Sequence, residues 1–220
     1  MKVLLWGAFC LLLTGPLYAQ DTTRRVAPTA ADSLLTALVD SSATTQPLLP
    51  QRMVFTQRAF WGEKGLLRRT GLAPLTTESR RRELTLRRTM LVGHQALGFV
   101  TLAGFIAQGI LGANLYQAEG ARYTRLRNAH EALGTAVNIS YATTALLSLT
   151  APPPLIGGRR RGFSSIKLHK YLAIVHLTGM IATNMLARQI RHNYELKPYH
   201  RAAAYTTFGA FAAAMIVIKF

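Results

Sequence analysis

Residues 90–116 read MLVGHQALGFVTLAGFIAQGILGANLY, a run of 27 residues without Asp, Glu, Lys or Arg. About 20 mostly apolar residues are enough for a helix to cross a bilayer, so this run predicts a transmembrane helix. Three further apolar runs follow at about 129–150, at 166–187 and at 202–218, the last barely long enough. The second half of the chain therefore predicts four spans.

The links between these runs are short and polar, at 117–128, 151–165 and 188–201. Short links place consecutive helices side by side in opposite directions. Gly and Ala are frequent in all four runs, which favours close helix contact. The predicted fold is all-α: an up-down four-helix transmembrane bundle at 90–220, preceded by a basic amphipathic helical segment.

The composition agrees with a membrane protein. Half of the 220 residues are apolar, only 16% are charged, and the formal net charge is +17. Soluble domains usually carry about a quarter charged residues. The Lys and Arg side chains cluster at the ends of the apolar runs, where cations contact anionic headgroups. Membrane lipid is thus the expected partner of this charge, and nucleic acid is not expected.

The N-terminal part of the chain divides into three pieces. Residues 1–19 have a Lys, a short apolar core and a small residue at position 19, which predicts a secretory signal peptide. Its Cys10 is the only cysteine, so thiolate zinc sites and covalent c-type haem are excluded. Residues 20–50 are rich in Ser, Thr and Pro, which predicts disorder.

Residues 51–89 alternate Arg with apolar and aromatic side chains, as in helices that lie in the headgroup plane. We expect a helix from about Thr77 that continues into the first span, with Glu83 and Arg87 paired at i,i+4. The Arg80–Arg82 cluster is expected to contact lipid. This segment would be a membrane-surface element.

A cleaved signal places residues 20–89 outside the cytoplasm, most simply at a bacterial inner membrane. Counting the cations near the spans gives nine on that side against seven on the other, which mildly contradicts the positive-inside rule. The signal peptide and the charge count therefore predict opposite orientations, and we give the signal peptide more weight.

Histidines mark the beginnings of the four runs. His94 lies about one turn into the first, His130 and His169 open the second and third, and His200 precedes the fourth. Because helix beginnings alternate between faces in an up-down bundle, His94 and His169 would share one face, and His130 and His200 the other. Two histidine pairs, one for each face, are what two bis-histidine haems require.

Each of these histidines is followed four residues later by a small residue on the same helix face, which clears space beside the imidazole. The small residues are Gly98, Gly134, Ala173 and Ala204. The first two lie in near-copies, HQALG and HEALG, 36 residues apart. The repeated pattern favours a flat cofactor between the helices.

Several alternatives remain at this level. The histidines could be interfacial anchors, and imidazole also suits zinc or copper. His176, two turns deeper than His169, competes with it as partner of His94, while His192 fits a solvated link. The second hypothesis is a non-haem structural or partner-binding membrane protein. The third is a small transporter, for which a helix interrupted within the membrane would be expected.

The chain resembles the bacterial cytochrome b-561 family in this pattern. The resemblance covers about 90–220 and rests on His94, His130, Leu168-His169-Lys170 and Tyr199-His200-Arg201. It implies two haem b groups, one held by His94 and His169 and the other by His130 and His200. It also implies electron transfer across the membrane between a donor and an acceptor that the sequence does not name.

Two cations beside these histidines, Lys170 and Arg201, would then pair with haem propionates or snorkel to the surface. Glu131 beside His130 is expected to pair with Arg127. No arrangement of Ser or Cys with His and Asp points to a catalytic nucleophile. If the protein is an enzyme, it would be an electron-transferring oxidoreductase.

Overall fold

A computed structural model describes residues 47–155 and 164–219, and among these residues it contains helices but no strand. The predicted signal peptide, Cys10 and nearly all of the segment predicted to be disordered lie outside this part of the chain. The helices are α1 (Phe55–Trp61), α2 (Leu66–Arg69), α3 (Thr77–Tyr116), α4 (Gly120–Leu149), α5 (Ser165–Gln189) and α6 (Lys197–Lys219). A short 3-10 turn at Tyr194–Leu196 leads into α6.

Three helical stretches are long and apolar enough to cross a membrane: α3, α4 and Tyr194–Ile218, which covers all of α6 but its last residue. The sequence predicted a fourth span within α5, but α5 is not among them. Its hydropathy is lowered by His176 and Asn184, polar residues in the middle of the helix. Both have partners on α4, His176 with Tyr141 and Asn184 with Asn138, so their polar groups are satisfied within the protein.

The start of α3 agrees with the sequence. Thr76 is its N-cap, and the hydroxyl Oγ1 accepts a hydrogen bond from the backbone N–H of Ser79 at 3.2 Å. The helix then runs unbroken for 40 residues, so the predicted continuation into the first apolar run is confirmed. A turn at Gly120, whose φ of 55° suits glycine, connects it to α4.

The long helices pack as two antiparallel pairs, α3 with α4 and α5 with α6, and between the pairs α3 approaches α6. Glycines permit close contact within each pair. A Cβ on Gly104 would lie 2.7 Å from Cγ2 of Val137, and a Cβ on Gly179 would overlap Oγ1 of Thr207. These contacts explain why small residues are frequent in the apolar runs.

The core lies where all four long helices meet. It contains one aromatic ring from each helix: Phe105 from α3, Tyr141 from α4, His176 from α5 and Phe211 from α6. Phe211 is the centre of this cluster, with ring centroids 5.1 Å from His176, 5.2 Å from Phe105 and 6.0 Å from Tyr141. The buried Met180 packs against the same cluster.

The N-terminal segment, residues 47–89, folds onto the link that follows α4. The indole Nε1 of Trp61 donates to the carbonyl of Thr150 at 2.8 Å, and Arg87 donates to that of Pro152 at 2.7 Å. Arg80 is fully buried and donates to the carbonyls of Leu48 and Pro153. This segment therefore contacts protein as well as solvent along its length.

Two expectations for this segment were wrong. Glu83 pairs with Arg80 and Arg68, whereas Arg87 donates to a carbonyl instead of to Glu83. Arg80 does not contact lipid, because it is buried with its charge neutralised by Glu83; its neighbour Arg82 is exposed and pairs with Glu78. Both errors arise because Glu83 is occupied by Arg68 and Arg80, and because Arg80 and Arg87 reach the carbonyls of Pro153 and Pro152, which are distant in sequence.

Candidate functional site

His94 of α3 and His169 of α5 face each other. Their ring centroids are 6.3 Å apart, and the ring planes are nearly perpendicular at 81°. Both residues are half-buried. These two histidines belong to different helix pairs, so their rings meet across the space between the pairs.

Each of these rings is held by a carbonyl of its neighbouring helix. Nδ1 of His94 donates to the backbone carbonyl of Thr144 at 2.8 Å, and Nδ1 of His169 donates to that of Ala214 at 2.9 Å. A carbonyl can only accept, so the proton of the neutral imidazole lies on Nδ1. Nε2 is then the nitrogen whose lone pair is available to a metal.

His200 of α6 repeats this arrangement, since its Nδ1 donates to the carbonyl of Thr183 at 3.0 Å. His130 of α4 lies near enough to His200 for an electrostatic interaction, but its buried Nδ1 has no hydrogen-bond partner among the described residues. The two histidine pairs lie at different positions along the helices. Gln108 of α3 lies beside His130 and so marks the position of the second pair on this helix. It follows His94 by 14 residues, or about 21 Å at 1.5 Å per residue.

The four long helices share one numbering relation. The carbonyl that each bonded histidine contacts belongs to the residue 14 positions after the histidine of the neighbouring helix. The residues 14 positions after the four histidines are Gln108, Thr144, Thr183 and Ala214, and those 11 positions after are Phe105, Tyr141, Met180 and Phe211. The four residues that lie 11 positions after a histidine are all part of the core.

This relation is the signal that the sequence reasoning missed. Spacing within single runs indicated the small residue at the fourth position after each histidine. It indicated neither the carbonyl that the imidazole contacts nor the core side chain. Aligning the four runs on their histidines would have indicated Tyr141 and Phe211 as equivalent core positions. Which carbonyl each imidazole contacts depends on how far one helix is shifted along another, and a single run does not contain that information.

His176 has a different environment. Its Nδ1 lies 2.7 Å from the hydroxyl of Tyr141, and its ring packs against Phe211 in the core. It is near enough to His94 and His169 for electrostatic interaction with both, yet the ring facing His94 is that of His169. His192 lies in the exposed turn after α5.

Charged and aromatic side chains surround the His130 and His200 end. Nε of Arg127 donates to Glu131 at 3.0 Å, which is the predicted pair, and Arg191 donates to the same carboxylate at 3.3 Å. The guanidinium of Arg201 lies over the rings of Tyr116 and Tyr205, at 5.1 Å and 5.5 Å from their centroids. Cation–π contacts of this kind fix a cation beside His200.

Among the described residues, no three or more His, Cys, Asp or Glu side chains are grouped so as to hold a metal ion. A zinc site usually has at least three protein ligands. The paired histidines among the described residues therefore do not form such a site by themselves.

Comparisons with known proteins identify no relative. The chain matches no family model, no curated protein and no solved structure among those compared.

Proposed function

We propose that the chain is a di-haem b-type membrane cytochrome, similar to bacterial cytochrome b-561, that passes electrons across a bilayer. In this proposal α3 to α6 form an up-down four-helix transmembrane bundle. His94 and His169 hold one haem, and His130 and His200 hold the other. The observation that carries the proposal is the pair of facing imidazoles, His94 and His169, each held by a carbonyl through Nδ1.

The spacing of these rings supports a shared metal. Metal–imidazole nitrogen distances are about 2.0 to 2.1 Å, so two imidazoles on opposite sides of one ion have centroids about 6 Å apart. The rings of His94 and His169 are 6.3 Å apart. The donor set also fits, because metal-binding histidines usually donate their other ring nitrogen to a carbonyl or carboxylate.

The looser contact between the helix pairs than within them supports a flat group bound between the pairs. The helices contact each other extensively within each pair, whereas between the pairs the contacts are those of α3 with α6 and a few side-chain hydrogen bonds between α4 and α5. Gly98, four residues after His94, has only Cε of Met215 near its open side, at 3.9 Å from a Cβ position. The flexible methionine could move aside for a ring.

A bound haem would supply reversible one-electron chemistry, and the chain would supply ligation, orientation and exclusion of water. The carbonyls of Thr144, Ala214 and Thr183 fix the orientation of three imidazoles. Arg201, held over two tyrosine rings, and Lys170 are the cations that would neutralise propionates. The apolar surface of the long helices would face lipid.

The expected partners are membrane lipid, an electron donor on one face and an acceptor on the other. We place the protein in a bacterial inner membrane, with the N-terminal segment outside the cytoplasm. The distance along the helices between the two histidine pairs agrees with such a role. About 21 Å along the helices fits within a hydrocarbon core about 30 Å thick.

The test is the haem content of the purified protein, expressed with ample haem supply. We expect about two haem b groups for each chain, a Soret band, and reduced-minus-oxidised bands of b type. Replacement of His192, which is exposed, should leave the content unchanged, whereas replacement of His94, His130, His169 and His200 together should remove it. A folded protein without colour would refute the proposal.

One observation favours the second hypothesis, in which the protein is structural and holds no haem. The hydrogen bonds of His94, His169 and His200 join neighbouring helices even without a metal. In that case the protein would be colourless, and replacing these histidines would reduce stability without any spectral change. The same measurement therefore separates the two functions.

A further inference from the structure

His130 differs from the other three histidines at the helix ends. His94, His169 and His200 each donate Nδ1–H to a carbonyl at 2.8 to 3.0 Å. The Nδ1 of His130 is buried and has no partner among the described residues. The four helices otherwise follow one numbering relation, so this difference is local.

Two residues of α3, Gln108 and Gly112, lie beside His130. By the common relation, His130 should contact the carbonyl of Gln108. Instead, the side-chain Nε2 of Gln108 donates to the backbone carbonyl of His130 at 2.8 Å. The imidazole lies beside Gly112, which has no side chain that could accept its proton; a Cβ there would be 3.2 Å from Cε1 and 3.7 Å from Nδ1.

A hydrogen bond from Nδ1–H raises the basicity of an imidazole ligand, because it shifts negative charge onto the ring. A more basic ligand stabilises ferric iron over ferrous iron, which lowers the reduction potential. A haem between His94 and His169 would have two such bonds, and a haem between His130 and His200 would have one. The second haem should therefore be reduced more easily.

We infer that the site of His130 and His200 holds the haem of higher reduction potential, so electrons pass to it from the site of His94 and His169. This inference rests on the proposed function. The step transfers one electron and breaks no bond: the iron at the first site goes from ferrous to ferric as the iron at the second goes from ferric to ferrous. Gly112 is thus a residue that sets the potential difference.

The first test assigns the potentials. Redox titration of the purified protein, followed by the difference spectrum, should show two components. His130→Ala should remove the higher component and His94→Ala the lower one. At a potential between the two, the ratio of reduced to oxidised haem should be at least about tenfold greater at the second site, equivalent to about 59 mV for a one-electron couple.

The second test supplies the missing acceptor. Gly112→Ser places a hydroxyl beside Nδ1 of His130, while Gly112→Ala adds the same Cβ without the oxygen, so the difference between them isolates the hydrogen bond. We expect the serine variant to lower only the higher component relative to the alanine variant. Equal shifts in both variants would overturn the inference, as would loss of the lower component in His130→Ala.

These results also separate the inference from the proposed function. A colourless wild-type protein refutes the haem sites themselves. Two bound haems with equal potentials, or with the order reversed, refute only the asymmetry. If Gly112→Ser does not fold, the titrations of the histidine variants still decide which site has the higher potential.

Discussion

Gly179 lies in a close contact between α5 and α6. A Cβ there would overlap Oγ1 of Thr207, a side chain that is itself almost fully buried and donates to the carbonyl of Ala203. The neighbour cannot move without losing this hydrogen bond. The tolerance for added volume at this position is therefore small.

We expect Gly179→Ala to destabilise the protein by about 1 to 3 kcal/mol, the usual cost of overpacking a well-packed core. Gly209→Ala is the matched control, because nothing lies within 4 Å of a Cβ at that position. Alanine favours helix more than glycine does, so the control should be neutral or slightly stabilising. Reversible unfolding in mixed detergent measures both. Equal destabilisation would contradict the close contact.

His176 and Tyr141 make a part-buried polar contact between the two helix pairs, at 2.7 Å. We expect His176→Leu to retain both haems, since His169 already faces His94, and to cost about 1 to 3 kcal/mol by leaving the tyrosine hydroxyl without a partner. Adding Tyr141→Phe should recover part of that cost. Loss of one haem in His176→Leu, with both retained in His169→Ala, would assign the ligand to His176 instead.

At the scale of residues, the positions of the histidines could be read from the sequence, whereas most of their contacts could not. The four histidines and the small residue after each could be found from spacing within single helices. The hydrogen bonds of His94 and His169 could not, because their acceptors are 50 and 45 residues away on other helices. The exceptional position of His130 depends on Gly112 and Gln108, and only packing brings these three together.

The N-terminal segment is an element with its own buried charges. Glu83 accepts hydrogen bonds from Arg80 and Arg68, and its side chain and that of Arg80 are 4% and 0% exposed. Arg80 also donates to the backbone carbonyl of Leu48, within the segment, and to that of Pro153, in the link after α4. This cluster holds residues 47–89 against the link after α4.

We expect Arg80→Met to cost about 3 to 5 kcal/mol locally, because Glu83 would lose one of its two buried cations. The segment should open, and limited proteolysis should cut it faster between residues 50 and 76. Arg82→Met is the control, since its pair with Glu78 is exposed and worth about 0 to 1 kcal/mol. Equal cleavage of the two variants would show that the cluster does not hold the segment.

At the scale of elements, the helices were predicted more accurately at some ends than at others. The start of α3 agrees with the expectation of a helix from about Thr77, and Thr76 caps it. α4 begins at Gly120, about nine residues before the apolar run, because its backbone remains helical through an Arg-rich stretch where apolar periodicity is absent. Hydropathy marks the apolar part of a helix, whereas capping and turn residues mark its ends.

The whole molecule places two pairs of histidines about 21 Å apart along the helices, with an aromatic core between them. Its helical class and its antiparallel helix pairs followed from apolar runs and short links. The partners of the polar residues of α5 did not, because Tyr141 and Asn138 lie on α4, 35 and 46 residues away from His176 and Asn184. Partnered polar groups allow a helix to be less apolar than its neighbours.

The most direct measurement is the haem content of four single variants, His94→Ala, His130→Ala, His169→Ala and His200→Ala, each with its redox titration. The first and third should lose the same haem and keep the other, because their rings face each other at 6.3 Å. The second and fourth should both lose the remaining one. Full haem occupancy in all four variants, or losses that pair His94 with His130, would contradict the account.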